Sequence, residues 1–214
     1  MRVTVKKNHK IANLLKNHVR ENLKQYCIVS MLLLIGIILG VVFINQIGDA
    51  QKEEIQNYFN QFVTSLKEGT KIDTMALMKK TVWNNLGLAI LMWFVGSTVI
   101  GIPIVLGIVA YRGFCLGYSI SSAIAVWGTG KGTMFFITTM LLQNLIFIPC
   151  ILALAVSGMK LYQSIMKDKR KENIKTEIVR HTLFSLLILG LLFIAALVET
   201  YISSNLLMLY VPYM

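Results

Sequence analysis

Charge is scarce in this chain. Only 14% of its 214 residues are Asp, Glu, Lys or Arg, against about 25% in a soluble domain. Acidic residues are scarcer still, 10 against 21 basic ones. Proline occurs three times, cysteine three times and histidine three times. The low charge excludes a soluble enzyme of ordinary composition and a disordered tail. Cys27, Cys115 and Cys150 are odd in number, lack CxxC spacing and sit in apolar stretches, which excludes a disulfide framework and a cysteine metal site and reads as small apolar packing. His9, His18 and His181 form no metal-ligand pattern such as HExxH.

What the chain has is apolar length. Hydrophobic residues make up 56%, and mean hydropathy is +0.66. Five apolar runs read as membrane spans, at about 27–46, 84–111, 113–128, 133–157 and 182–204. The first is one hydrocarbon thickness as a helix, about 30 Å at ~1.5 Å per residue. Its long basic flank and the lack of an A-x-A pattern after it argue against a signal peptide. Pro103 predicts a kink or a broken helix inside the second run, and Pro149 lies in the fourth. The third run is short, and either spans or re-enters.

The net charge of +11 suggests nucleic acid until it is located. Arg2, Lys6, Lys7, Lys10, Lys16, Arg20 and Lys24 precede the first span. Lys160, Lys167, Lys169, Arg170, Lys171, Lys175 and Arg180 lie in a loop at 158–181. The segment 47–83 is balanced. That distribution is a positive-inside signal and excludes a nucleic-acid partner. Both basic segments fall inside only if the third run crosses. The expected fold is therefore an all-α integral membrane protein with five transmembrane helices, N-terminus inside and C-terminus outside. A cytoplasmic basic segment, 1–26, precedes a polytopic membrane domain, 27–214.

Two amphipathic helices flank the first span. Before it, Ile11, Leu14, Leu15, Val19 and Leu23 recur at helical spacing among lysines and arginines, which predicts a helix lying on anionic lipid. After it, Ile55, Tyr58, Phe59, Phe62, Val63 and Leu66 predict an outer helix over about 50–68, with Asp49 as N-cap and Gly69 as stop. Its polar face is not Lys/Arg-rich. The apolar stripe therefore either packs on the chain's own spans or contacts an extracytoplasmic partner.

Chemistry is sparse. Gly128-Thr-Gly-Lys-Gly-Thr133 fails as a phosphate loop because Gly follows Lys131, and it reads as a tight outer turn. No catalytic, cofactor-binding or metal-ligating set is identified. Gly36 and Gly40 form a GxxxG, which fits either a second copy of the chain, giving a homo-oligomer, or another helix of the same chain. Gly113, Gly117, Ser121 and Ala125 make a small stripe that predicts a central third span. Gln143, Asn144 and Glu199 are polar within apolar runs and must find partners.

Three segments carry a resemblance. Tyr111-Arg-Gly-Phe-Cys-Leu-Gly-Tyr-Ser119, Gln143-Asn-Leu-Ile-Phe-Ile-Pro149 and Ala195-Ala-Leu-Val-Glu-Thr-Tyr201 resemble, in order, elements of the stage II sporulation protein M (SpoIIM) family. Asn84–Asn85 before the second run also fits. The resemblance implies a non-catalytic membrane component of the engulfment machinery of endospore-forming bacteria. Its implied partners are the peptidoglycan hydrolases SpoIID and SpoIIP, and its implied place is the mother-cell side of the sporulation septum. Arg112, Gly113, Gly117, Gln143, Asn144, Pro149 and Glu199 match the motifs, none in a catalytic role. The rival expectation is a transporter subunit docked on a cytoplasmic ATPase through 158–181.

Overall fold

The computed structural model describes residues 18–68, 73–98, 100–167, 172–210 and 212. Its described residues are almost wholly helical, as backbone in hydrocarbon requires, because no water there can satisfy an open N–H or C=O. The elements are α1 (Leu23–Gln46), α2 (Asp49–Lys67), α3 (Thr74–Gly96), α4 (Gly101–Phe136), α5 (Leu142–Lys167), α6 (Glu172–Val198) and α7 (Ser204–Tyr210). Two five-residue π-turns, Ile137–Leu141 and Glu199–Ser203, join α4 to α5 and α6 to α7.

Three helical stretches are long and apolar enough to cross a membrane: Leu23–Gln46, Gly101–Met166 and Lys175–Tyr210. The second of these is 66 residues long, far more than one crossing needs. It is not one rod. Gly128 has φ 76° and ψ 169°, a conformation open to glycine. Beyond it the chain folds back, so that a Cβ on Gly132 would lie 2.6 Å from the carbonyl oxygen of Ala123. Along a straight helix those positions would be about 13 Å apart. The predicted outer turn at 128–133 is thus a helical hairpin.

Several predicted boundaries move. The run 84–111 is divided between α3, which ends at Gly96, and α4, which starts at Gly101. Ser97 and Thr98 turn their hydroxyls back to the carbonyls of Trp93 and Val95, at 2.8 Å each. Gly101 packs on the Val95 carbonyl where a Cβ would collide. Pro103 therefore sits in the first turn of a helix, where its missing N–H costs nothing, and not at a kink within one. The short third run joins 101–112 into one full-length arm of about 40 Å at ~1.5 Å per residue. The segment 158–181 is not a loop: α5 continues to Lys167 and α6 starts at Glu172, since Lys, Arg and Glu are good helix formers. The outer helix is placed within one residue, but Gly48 occupies the N-cap and Asp49 the first turn. Asp73 caps α3 by accepting from the N–H groups of Met75 and Ala76, both 3.0 Å. Ile11, Leu14 and Leu15, the lysines before them, Gly69 and the basic residues 169–171 lie outside the described residues.

The most extensive interface is between α1 and α4, and glycine makes it. A Cβ on Gly36 would strike Ala110, and one on Gly40 would strike Phe114. Reciprocally, Gly113 rests on Leu33 and Gly117 on Ile37, backbone against backbone. Contact numbers rise together on both helices, so α1 and α4 run parallel. The Gly36–Gly40 pair thus faces its own chain. Of the predicted stripe, Gly113 and Gly117 are buried, Ser121 is half-buried and Ala125 is exposed; Ser122 and Ala123 are buried instead. A four-residue spacing drifts about 40° per step on a helix of 3.6 residues per turn.

The remaining helices alternate. Gly96 of α3 meets Gly158 of α5, with Cβ-to-Cα approaches of 3.3–3.5 Å. Trp93 Nε1 donates to Thr182 Oγ1 (3.3 Å) where α3 ends and α6 begins. A core of Val29, Met92, Val109, Leu154, Ile188 and Leu192 lies between them. At the end where α1 starts, His18 stacks on Phe184 (4.3 Å between centroids) and its Nδ1 lies 3.1 Å from the Tyr26 hydroxyl. His181 is buried in the bundle with Nδ1 2.8 Å from Ser157 Oγ.

Two predictions follow from this packing. Gly117→Leu should lower the thermal unfolding midpoint in detergent, with a loss at or above the upper end of the ~1–3 kcal/mol typical of overpacking, because backbone cannot yield as a side chain can. Gly107→Leu and Gly190→Leu, where a Cβ meets open space, should leave it unchanged. Burial, then the positive charge of Lys160, pushes His18 down to about 4. The unfolded chain, at about 6.5, takes up a proton first as pH falls, so stability present above that value is lost between about pH 6.5 and 4. His18→Gln should flatten that part of the stability–pH curve.

Candidate functional site

The polar residues within the apolar sequence converge at one level of the bundle. α3 supplies Thr81 and Asn85, α4 supplies Arg112, α5 supplies Gln143 and Asn144, and the π-turn after α6 supplies Glu199. Thr81 and Asn85 are buried, at 6% and 3% exposure. The Glu199 carboxyl sits against the side chains of Thr81 and Gln143. One carboxylate thereby meets side chains from two other helices. Its Oε2 has no partner among the described residues, nor has Asn85 Nδ2. Arg112 is half-buried and stands over the Phe147 ring, 4.7 Å from its centroid. It shares a cavity of about 160 Å3 with Cys115, Ser119, Gln143 and Asn144.

The π-turns explain why this cluster can form. A π-turn widens the helix and re-aims the residues around it, and such turns concentrate at functional sites. The two turns here, Ile137–Leu141 and Glu199–Ser203, pack against each other. One immediately precedes Leu142 and Gln143, and the other begins with Glu199 itself. Short polar side chains occupy the carbonyls around the widened ladder. Thr139 donates to Phe135 O (2.6 Å) and Asn144 Nδ2 to Met140 O (2.9 Å). Thr200 donates to Ala196 O (2.8 Å), Ser204 to Thr200 O, and Asn205 Nδ2 to Tyr201 O (2.6 Å). Every one of these acceptors is three or four residues back, the arrangement by which Ser, Thr and Asn bend helices.

Of the residues singled out in sequence, the fold brings Arg112, Gln143, Asn144 and Glu199 together. Gly113 and Gly117 lie on the other face of the same helix, against α1. Pro149 is exposed on α5, which continues through it. Cys150 is buried, Cys27 is exposed, and Cys115 borders the Arg112 cavity. Thr81 was not among the expected residues. A single threonine after two lysines carries no periodic signal, and only the partner 118 positions later reveals it.

The outer helix divides its apolar stripe. Val63 is buried with Ala123, Phe135 and Leu207, and Phe59 and Leu66 pack against that cluster. Phe59 meets Trp127 edge-on at 5.0 Å, and Trp127 Nε1 donates to Asn60 Oδ1 (3.4 Å). Ile55 is half-buried. Tyr58 and Phe62 stay exposed, at 71% and 38%. The helix is pinned to its own spans through Phe59, Val63 and Leu66, while Tyr58 and Phe62 border an open cavity between it and those spans.

The network has a measurable signature. The Glu199→Ala and Gln143→Ala changes should be coupled in a double-mutant cycle of unfolding free energy, by about 0.6–2 kcal/mol, the usual worth of an interhelical hydrogen bond in a membrane protein. Additive losses would show that the two side chains act independently.

The family model described as Stage II sporulation protein M matches residues 29–204. That interval contains both glycine pairs, the polar cluster and the whole of α2. No curated protein matches the chain, and no solved structure does.

Proposed function

The chain belongs to the stage II sporulation protein M family, and from that premise we propose that this sporulation-related membrane protein is a non-catalytic scaffold of the engulfment machinery. It holds SpoIID-like and SpoIIP-like peptidoglycan hydrolases at the septal membrane, on the mother-cell side. The observation that carries this reading is the split face of α2. An amphipathic helix whose only task was to seal its own bundle would bury its rings. This one anchors through Phe59, Val63 and Leu66 and leaves Tyr58 exposed at 71% and Phe62 at 38%. Exposed aromatic side chains on a helix held by its neighbours suit a protein contact.

The topology proposed with it has five crossings, N-terminus inside and C-terminus outside. Supporting it are the parallel course of α1 and α4, the return of the chain at Gly128 and the alternation of α3, α5 and α6. The positive-inside rule then orients the bundle. Residues 18–26, 158–167 and 172–181 share one end and are rich in Lys and Arg, and α2 falls on the opposite, extracytoplasmic side. Peptidoglycan hydrolases work in that space.

A second reading, a transport subunit working with a cytoplasmic ATPase, draws support from the polar cluster and its cavity. Ionisable groups inside a membrane mark substrate and ion pathways by default. The two readings part on different residues. Tyr58→Asp with Phe62→Asp should abolish co-isolation of the hydrolases, while the variant inserts and melts like the parent. Glu199→Gln should leave co-isolation intact under the scaffold reading. Under the transport reading it should impair flux instead, and persistence of hydrolase capture in the Tyr58/Phe62 variant would remove α2 as the contact.

A further inference from the structure

Two cavities meet within the bundle. The larger, about 710 Å3, lies between α2 and the membrane helices, with a wall of rings that includes Phe43, Tyr58, Phe62, Phe135 and Phe136. Its volume is in the ~300–1,000 Å3 range of sites that bury a small organic ligand. The smaller, about 160 Å3, contains Arg112. Ser119 and Met140 line both, so the apolar space and the charged one are adjacent and share that wall.

Among the described residues Arg112 is a half-buried cation within the bundle on which Glu199 acts only electrostatically, from beyond ion-pair distance. A guanidinium presents five N–H donors in a planar fork and stays protonated. Here it faces the Phe147 ring. Among the described residues none gives it a hydrogen-bond acceptor, and no carboxylate comes within ion-pair distance of it. Of the neighbouring amides, Asn144 donates to the Met140 carbonyl and Gln143 sits against Glu199. A half-buried cation with no hydrogen-bond acceptor inside an apolar bundle calls for an anionic one.

We propose that the two adjacent cavities together bind a single-chain anionic amphiphile, its acid group on Arg112 and its alkyl chain running past Ser119 and Met140 into the aromatic cavity. The geometry supplies both halves of that ligand. The small cavity has room for a carboxylate or phosphate, whose oxygens match the guanidinium fork. Ser119 stands seven residues beyond Arg112 on α4, about 10 Å along its axis, so a headgroup at Arg112 places the chain, not the head, among the rings. The site lies where the bundle would be bathed in lipid, the source of such molecules. Tyr58 and Phe62, the side chains of the scaffold reading, also border the larger cavity, but the inference needs no hydrolase contact, and its readout, acid against alcohol binding by the unaltered protein, is separate from hydrolase capture.

The test is equilibrium binding to the full chain in lipid nanodiscs, with radiolabelled palmitate, lysophosphatidate and hexadecanol as probes. Saturable binding of at least one acid, about tenfold or more tighter than the uncharged alcohol, is expected from the guanidinium pairing. Whichever acid binds tighter identifies the headgroup as carboxylate or phosphate. Arg112→Gln should erase the preference for acid over alcohol, and Ser119→Phe should block acids and alcohol alike. Equal affinity of the unaltered protein for acid and alcohol, or non-saturable partition of all three probes, overturns the proposal whether or not either variant folds.

Discussion

Backbone contact between α1 and α4 is the constraint on which the rest of this structure depends. Between membrane helices there is no hydrophobic drive, so association rests on packing and hydrogen bonds. Gly36 and Gly40 against Ala110 and Phe114, and Gly113 and Gly117 against Leu33 and Ile37, remove side chains from both surfaces at once. The contact fixes register and makes the two helices parallel. A parallel pair needs a connection that recrosses the bundle, and α2 with α3 supplies it. With α4 held on α1 by one face, its other face is free to carry Arg112 into the interior.

That interior is polar where a membrane protein can least tolerate disorder. Glu199 sits against side chains from α3 and α5, and two π-turns in contact place it and Gln143 there. The cost of a charge near mid-bilayer is roughly 2.5–3.5 kcal/mol on insertion scales. Such groups are tolerated when they offset one another, and Arg112 and Glu199 are opposite charges in the same cluster. Helix α2 is coupled to the same region, since Phe59 and Val63 reach Phe135, two residues before the first π-turn.

Much of this was legible in the sequence. The glycine spacing announced close helix contact, the stripe from Ile55 to Leu66 gave α2 to within a residue, and the ordered motifs pointed to the family. Three things were hidden for physical reasons. Hydropathy runs unbroken through 97–100, so the break there is visible only as Pro103 finding a first-turn position. The positive φ at Gly128 could be suspected from a glycine-rich turn, but the long arms on either side could not. The union of Thr81 with Glu199 depends on helices that meet only after folding, and π-turns have no composition of their own. The same limit applied to the Gly36–Gly40 pair, whose partner was open between this chain and a copy until α4 was seen against it.

The central claim is that the exposed edge of α2 receives extracytoplasmic wall enzymes. A photo-crosslinking amino acid placed at position 58, activated in sporulating cells and followed by mass spectrometry of the adducts, tests it most directly. The account predicts adducts with peptidoglycan hydrolases from position 58 and none from a lipid-facing position such as 38. Adducts at 58 confined to lipid, with a cytoplasmic ATPase recovered through crosslinks in 158–181, would contradict it.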